Sequence, residues 1–224
     1  MKIHVEPVTI AMATPFRISR GSRTECHVVR VTIEQSGISA QGECTPYPRY
    51  GESVESVIKA ISQAAHELQG LFAKGDANIV SLREKLQTLL PGGAARNALD
   101  CAMWNLQAQL AGKQHTQDLF ELPASIVTAM TVSINTPEAM ANQTRNYIEQ
   151  GAKLLKVKLD GEQVIERVRA VREAAGDAMI VLDANEAWQE LDLDATFAAL
   201  APLNIAMIEQ PLPSNEDEKL KDIS

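Results

Sequence analysis

KLLKVKLD, residues 153–160, reads as a strand with two lysines on one face. Lys156 and Lys158 are two apart, and alternate residues of a strand share a side. Leu154, Leu155 and Val157 around them read as buried, and charged lysines seldom face a packed interior without a task. Three further apolar runs end in one polar residue: Thr131 after Ile126 and Val127, Asp183 in IVLDANE (180–186), and Glu209 in AMIEQP (206–211). From Thr131 to Lys158 to Asp183 to Glu209 the steps are 27, 25 and 26 residues. Each step fits one strand, one helix and two short loops, the repeating unit of a parallel α/β sheet. A chemically useful side chain at the end of every strand is the pattern of a (β/α) barrel, whose sites lie at the carboxyl ends of its strands.

The rhythm starts near Ser125. It predicts strands over 126–134, 154–159, 179–183 and 205–209, with helices over 137–150, 162–175 and near 193–201; Thr136 is the N-cap of the first helix. Upstream the pattern differs. Residues 24–34 and 38–44 alternate about a turn at 35–37, which predicts a β-hairpin. Helices follow over 53–71, 78–90 and 94–111, the last two separated by Pro91-Gly92-Gly93. The expected organisation is an α+β domain over 1–124, then the first three and a half βα units of a barrel over 125–224. A barrel needs eight units, so the sequence is expected to be part of a longer barrel or to be completed by a second copy. Unpaired strand edges make self-association an expectation.

A net charge of −8 disfavours nucleic acid and anionic membrane as partners, since both select a basic surface. The first sixteen residues, broken by His4, Glu6 and Pro7, lack the apolar core of a signal peptide. Cys26, Cys44 and Cys101 are an odd count at irregular spacing, which fits reduced thiols and a cytoplasmic setting.

Asp183 and Glu209, at the ends of neighbouring strands, can share one hard cation. Oxygen ligands alone select Mg²⁺, with Mn²⁺ as the other candidate, over zinc. Asn185 joins their face behind the metal if the strand persists. Helix capping is the plainer use of such carboxylates, but two of them in register with a lysine pair argue against it. For the lysines the plainer reading is an edge-strand charge run. Side by side, each ammonium works against the other's charge, so one can be a neutral amine. Such an amine can remove a weakly acidic proton from a carbon next to a carboxylate.

KxK, DAN and EQP at these intervals resemble the enolase superfamily, in its muconate-lactonizing subgroup, and the similarity runs essentially end to end. Residues 20–23 (RGSR), 42–53 (GECTPYPRYGES), 93–104 (GAARNALDCAMW) and 151–160 (GAKLLKVKLD) look like the dipeptide epimerases of the L-Ala-D/L-Glu type. The resemblance implies a capping domain over an enolase-type barrel. It also implies Mg²⁺-dependent epimerisation of a small acidic dipeptide, as in peptidoglycan peptide metabolism, through an enediolate. Lys158 becomes an acid/base and Lys156 its electrostatic neighbour; Asp183 and Glu209 become two of three metal carboxylates. Thr131 and Arg23 would contact substrate, Arg23 pairing with an acidic side chain. Loops 18–24 and 46–52 would set specificity, with Tyr47 and Tyr50 as pocket walls.

The same resemblance puts the third metal carboxylate, an opposing lysine and the aspartates for the dipeptide's ammonium on later strands. Residues 1–224 alone are therefore expected to be inactive as an epimerase. Other readings are a different proton abstraction on the same scaffold (cycloisomerase or o-succinylbenzoate synthase type), a Schiff-base aldolase, or a non-catalytic remnant. The Asp183/Glu209 pair argues against the aldolase.

Overall fold

Alternation builds the first sheet. Strand β2 (Gly21–Gln35) buries Val29, Val31 and Ile33 completely, with Val28 also buried, and exposes residues 21–25 at its start. It pairs antiparallel with β3 (Ile38–Cys44) through a tight turn at Ser36 and Gly37, both at positive φ. The computed structural model describes residues 1–223 except Arg20, Asp76, His115 and Leu122. The sheet order is β1-β2-β3. Strand β1 (Lys2–Ile18) was not expected from the sequence, because Pro7 and Pro15 interrupt it; an edge strand tolerates proline, which lacks only the ladder donor.

Three helices complete this unit: α1 (Val54–Ala73), α2 (Ile79–Leu89) and α3 (Ala94–Leu110). Ser53 and Asn78 cap the first two through their side chains. Helix α3 begins on Gly93, whose missing cap is replaced by Glu52: its Oε1 accepts from Ala94 N at 2.7 Å. Helix α3 lies so close to β3 that a Cβ on Gly42 would stand 2.2 Å from the Ala98 carbonyl oxygen. Side-chain amides of Asn97, Asn105 and Gln109 donate to the carbonyls of Glu43, Gln41 and Ser39, closing the strand edge against further pairing.

The second unit comprises Ala13–Thr24 and Ser125–Ser224, and the first Met1–Met12 with Glu25–Ala124. Four parallel strands run in the order β4-β5-β6-β7: Met130–Val132, Leu154–Lys158, Met179–Asp183 and Met207–Glu209. Helices α4 (Pro137–Glu149), α5 (Val164–Ala175) and α6 (Leu193–Leu200) connect them. Thr136 caps α4, as the sequence indicates, and Asp192 caps α6. Val132, Val157, Leu182 and Ile208 are paired in register on the face that packs into the core with the helices. The opposite face carries Thr131, Lys156, Lys158, Val181, Asp183, Met207 and Glu209.

Strand β4 is much shorter than the 126–134 expected. Ile126 and Val127 are 80% and 60% exposed, so the apolar run starts outside the sheet. Leu154 also departs from expectation. It shares the lysine face and is half-buried, whereas Leu155 and Val157 are fully buried.

Candidate active site

Each strand delivers its polar residue at or next to its end. Lys158, Asp183 and Glu209 form one register row across β5, β6 and β7, and Thr131 and Lys156 form the row before it. Lys156 Nζ donates to Glu209 Oε2 at 2.5 Å and lies 2.9 Å from Asp183 Oδ2. Lys158 Nζ donates to the same Asp183 oxygen at 2.5 Å and to Asn185 Oδ1 at 3.2 Å. Asp183 is 1% exposed, and its other oxygen accepts from Asn185 N at 2.9 Å. Two ammonium groups thus share one buried carboxylate.

The charges follow from this. Burial works to raise the pKa of Asp183, but hydrogen bonds and charge from Lys158 and Lys156 outweigh it and hold the carboxyl below its ordinary value. Burial likewise works to lower the pKa of Lys156. Its bonds to the Glu209 and Asp183 carboxylates, and their charge, outweigh it, and its pKa rises. This corrects the expectation of mutual depression for Lys156: the acceptors between the two lysines count for more than their repulsion.

Asp183 and Glu209 fit a hard cation as two of its ligands. Their oxygens converge on one ammonium nitrogen, so one small ion can reach both. Mg²⁺ is commonly held by one or two carboxylates with water and substrate completing its shell. Among the described residues no group of three or more His, Cys, Asp or Glu side chains could hold a metal.

The strand does not persist to Asn185. It ends at Asp183, and Asn185 (φ 47), Glu186 (φ 70) and Gln210 (φ 48) take the left-handed conformation just past the two carboxylates. Such residues cost about 1 kcal/mol or more each and cluster where a site over-determines them. Glu186 N donates to Gln210 O at 2.7 Å, and Asn185 Nδ2 to Gln210 Oε1 at 3.4 Å. Arg17 and Ser19 also reach this unit's strand ends. Ser19 Oγ donates to the Asn185 carbonyl at 3.2 Å and Arg17 O accepts from Ile134 N at 3.4 Å. In the sequence Gln210 stands out only as part of EQP and Ser19 only as part of the loop 18–24, with no bond assigned to either; Ser19 lies 166 residues from its partner, beyond any periodic signal.

Thr131 is half-buried opposite Lys156, its carbonyl accepting from Tyr147 Oη at 3.3 Å. Arg23 is exposed with its guanidinium 5.5 Å over the Phe16 ring; Arg20, in the same RGSR stretch, lies outside the described residues. Tyr47 and Tyr50 pair with each other in the first unit, ring centres 5.6 Å apart.

An α+β unit followed by parallel βα units with lysines and carboxylates at their strand ends is the organisation of the enolase-type capped barrels. The chain belongs to the mandelate racemase / muconate lactonizing enzyme family. That family's N-terminal domain matches residues 1–122, and the enolase C-terminal domain-like family matches residues 139–224.

Among curated relatives, the L-Ala-D/L-Glu epimerase of Escherichia coli is 49% identical over 210 residues, covering 93% of this chain and 62% of that protein. A solved enolase family member from Agrobacterium tumefaciens, described as homologous to dipeptide epimerases with bound sodium and L-Ala-L-Glu, is 39% identical. Its TM-score is 0.83, over 99% of this chain and 65% of that one. The dipeptide epimerase of Enterococcus faecalis, solved with Mg and L-Leu-L-Tyr, is 28% identical with a TM-score of 0.83, over 98% of this chain and 63% of that one. The chain therefore spans under two thirds of the length of these relatives, and its fold is the capping domain and the first part of the barrel. No helix among the described residues is long and apolar enough to cross a membrane.

Proposed function

We propose that this chain carries the capping domain and first half-barrel of a Mg²⁺-dependent epimerase acting on acidic dipeptides of the L-Ala-D/L-Glu type. The observation that carries the reading is the register row Lys158–Asp183–Glu209 with Lys156 bonded to both carboxylates. The 49% identity to the Escherichia coli enzyme supports the substrate class, and relatives solved with Mg support the metal.

Asp183 and Glu209 would hold the Mg²⁺, with Mn²⁺ as a substitute. When bound, the ion supplies positive charge that offsets the negative charge developing on a substrate carboxylate. Lys158 takes the proton from the carbon next to that carboxylate: the C–H bond breaks and its electron pair stays on the substrate. Lys156, bonded to Asp183 and Glu209, adds positive charge beside the developing anion. Arg23 pairs with the acidic side chain of the dipeptide, and Thr131 lines the row beneath Lys158. Inversion requires an acid on the face opposite Lys158, expected from later strands, so residues 1–224 alone should exchange the α-proton without inverting the centre. Self-association through the uncovered strand edges and a cytoplasmic location complete the reading.

The test is α-proton exchange. L-Ala-L-Glu and L-Ala-D-Glu are incubated with the protein and Mg²⁺ in D₂O, and the glutamyl α-proton is followed by NMR. Exchange of one epimer, abolished by Lys158→Ala, is expected. No exchange with either epimer, while Mg²⁺ binding at Asp183 and Glu209 is intact, would reject Lys158 as the base.

A further inference from the structure

Trp188 lies five residues past Asp183, in the loop between β6 and α6, and is fully buried. Its backbone N donates to Pro211 O at 3.0 Å, two residues past Glu209. Its indole Nε1 donates to Asp160 O at 3.0 Å, two residues past Lys158. One residue thus bonds to the loops that leave Lys158 and Glu209 while standing in the loop that leaves Asp183.

Both bonds continue ladders that the strands have stopped making. Between β6 and β7, Ala184 N donates to Glu209 O at 3.1 Å, Glu186 N to Gln210 O, and Trp188 N to Pro211 O. Between β5 and β6 the last ladder bond is Leu159 N to Asp183 O at 3.0 Å, and the indole bond is the next tie after it. Lys158 ends its strand, and terminal strand residues fray unless something beyond them is fixed. Asp160 is fixed: its Oδ1 accepts from Glu162 N at 2.9 Å and from Arg167 Nη1 at 2.5 Å, with Arg167 itself buried.

We propose that Trp188 is a positioning residue whose indole N–H holds the β5 loop so that Lys158 stays within bonding distance of Asp183 and Asn185. The inference rests on Lys158 being the proton-transfer group, but its test uses no turnover. Ammonium groups held in ion pairs give ¹⁵N NMR signals that exposed lysines lose to fast exchange. The Lys158 signal of the full chain is assigned by its loss in Lys158→Arg. Two variants are then compared. Trp188→Phe removes the donor and keeps an aromatic ring. Phe197→Leu trims the ring packed edge-on against Trp188, 6.4 Å between centres, and leaves the donor.

The Lys158 signal should vanish or move toward the free-lysine position in Trp188→Phe and stay in Phe197→Leu. An unmoved signal in Trp188→Phe, an equal loss in both variants, or no Lys158 signal in the unaltered chain would overturn the proposal. Should Trp188→Phe fail to fold, indole exchange in the unaltered chain decides. The sequence has two tryptophans, and Trp104→Phe assigns their signals. The Trp188 indole proton should exchange at least 100-fold more slowly than a free indole; open exchange would remove the bond and the proposal with it.

Discussion

Asp183 receives Lys158 and Lys156 on a single oxygen, Oδ2, at 2.5 and 2.9 Å, while its other oxygen is taken by the Asn185 amide. The carboxylate is buried and both lysine side chains are mostly so, at 12% and 27% exposure for Lys158 and Lys156. Its charge is therefore the counterweight for two cations, which makes it structural as well as chemical.

Asp183→Asn should accordingly destabilise the second unit by about 3 kcal/mol, because it leaves two partly buried ammonium groups short of a counter-charge. The pH dependence has a definite sign. A carboxyl whose folded pKa lies below its unfolded value stabilises above the unfolded pKa, and loses that contribution as pH falls through the folded one. Thermal melts of the unaltered chain should thus show a falling limb below about pH 4, the ordinary range of an aspartate. In Asp183→Asn that limb should flatten. Equal midpoints for the two proteins at pH 7 would sink the argument.

Lys156 lies between the two carboxylates proposed to hold the cation. Its ammonium lies within 2.9 Å of Asp183 and 2.5 Å of Glu209, so a divalent ion must compete with it for both oxygens. Lys156→Ala should therefore bind Mn²⁺ about tenfold more tightly, a gain of about 1.4 kcal/mol, and Glu209→Gln should bind it more weakly. Mn²⁺ titration followed by electron paramagnetic resonance reads both changes. Weaker binding in Lys156→Ala would show that the lysine organises the carboxylates rather than competing for them.

Why these groups meet was legible in part. Strand-end spacing placed Lys158, Asp183 and Glu209 in one row because a parallel sheet keeps register and each βα unit has nearly fixed length. The helix cap at Thr136 was an equally local signal. What could not be read was whatever depends on the path of the chain after a strand ends. The left-handed turn at Asn185, the reach of Ser19 to its carbonyl, and the indole bond of Trp188 are set by tertiary contacts. Strand β1 hid for a different reason: its prolines are acceptable only because the strand is at an edge, and edge position is itself a tertiary fact.

Gly42 is required by helix α3. An added Cβ would meet Ala98 O at 2.2 Å and Ala102 N at 2.5 Å, both backbone atoms of a helix that is itself bonded along β3. Neither can yield without moving the helix. Gly42→Ala should cost at least about 3 kcal/mol, at the upper end of overpacking effects, and unfold the first unit at lower denaturant. Urea melts followed by helical circular dichroism measure it. A midpoint within experimental scatter of the unaltered chain would mean that α3 can ride outward freely.

Cys44 offers a test at the other end of the pH scale. Burial pushes its thiol up to about 11, the neighbouring charges of Glu52 and Glu43 adding to the effect against a backbone hydrogen bond at Val29. The reactive species is the thiolate, so at pH 8 the folded protein presents about a hundredth of the Cys44 thiolate of the unfolded chain. Iodoacetamide labelling read by peptide mass should therefore be slow at Cys44 in the native protein and fast in urea. The stability consequence has the opposite sign to that of Asp183. A raised folded pKa means the contribution is complete below pH 9, the group's ordinary value, and is lost as pH climbs towards 11. Over that window the unaltered chain should lose about 2–3 kcal/mol that Cys44→Ala does not. Native labelling of Cys44 at the urea rate would show that the thiol is not buried as the packing of β3 against α3 requires.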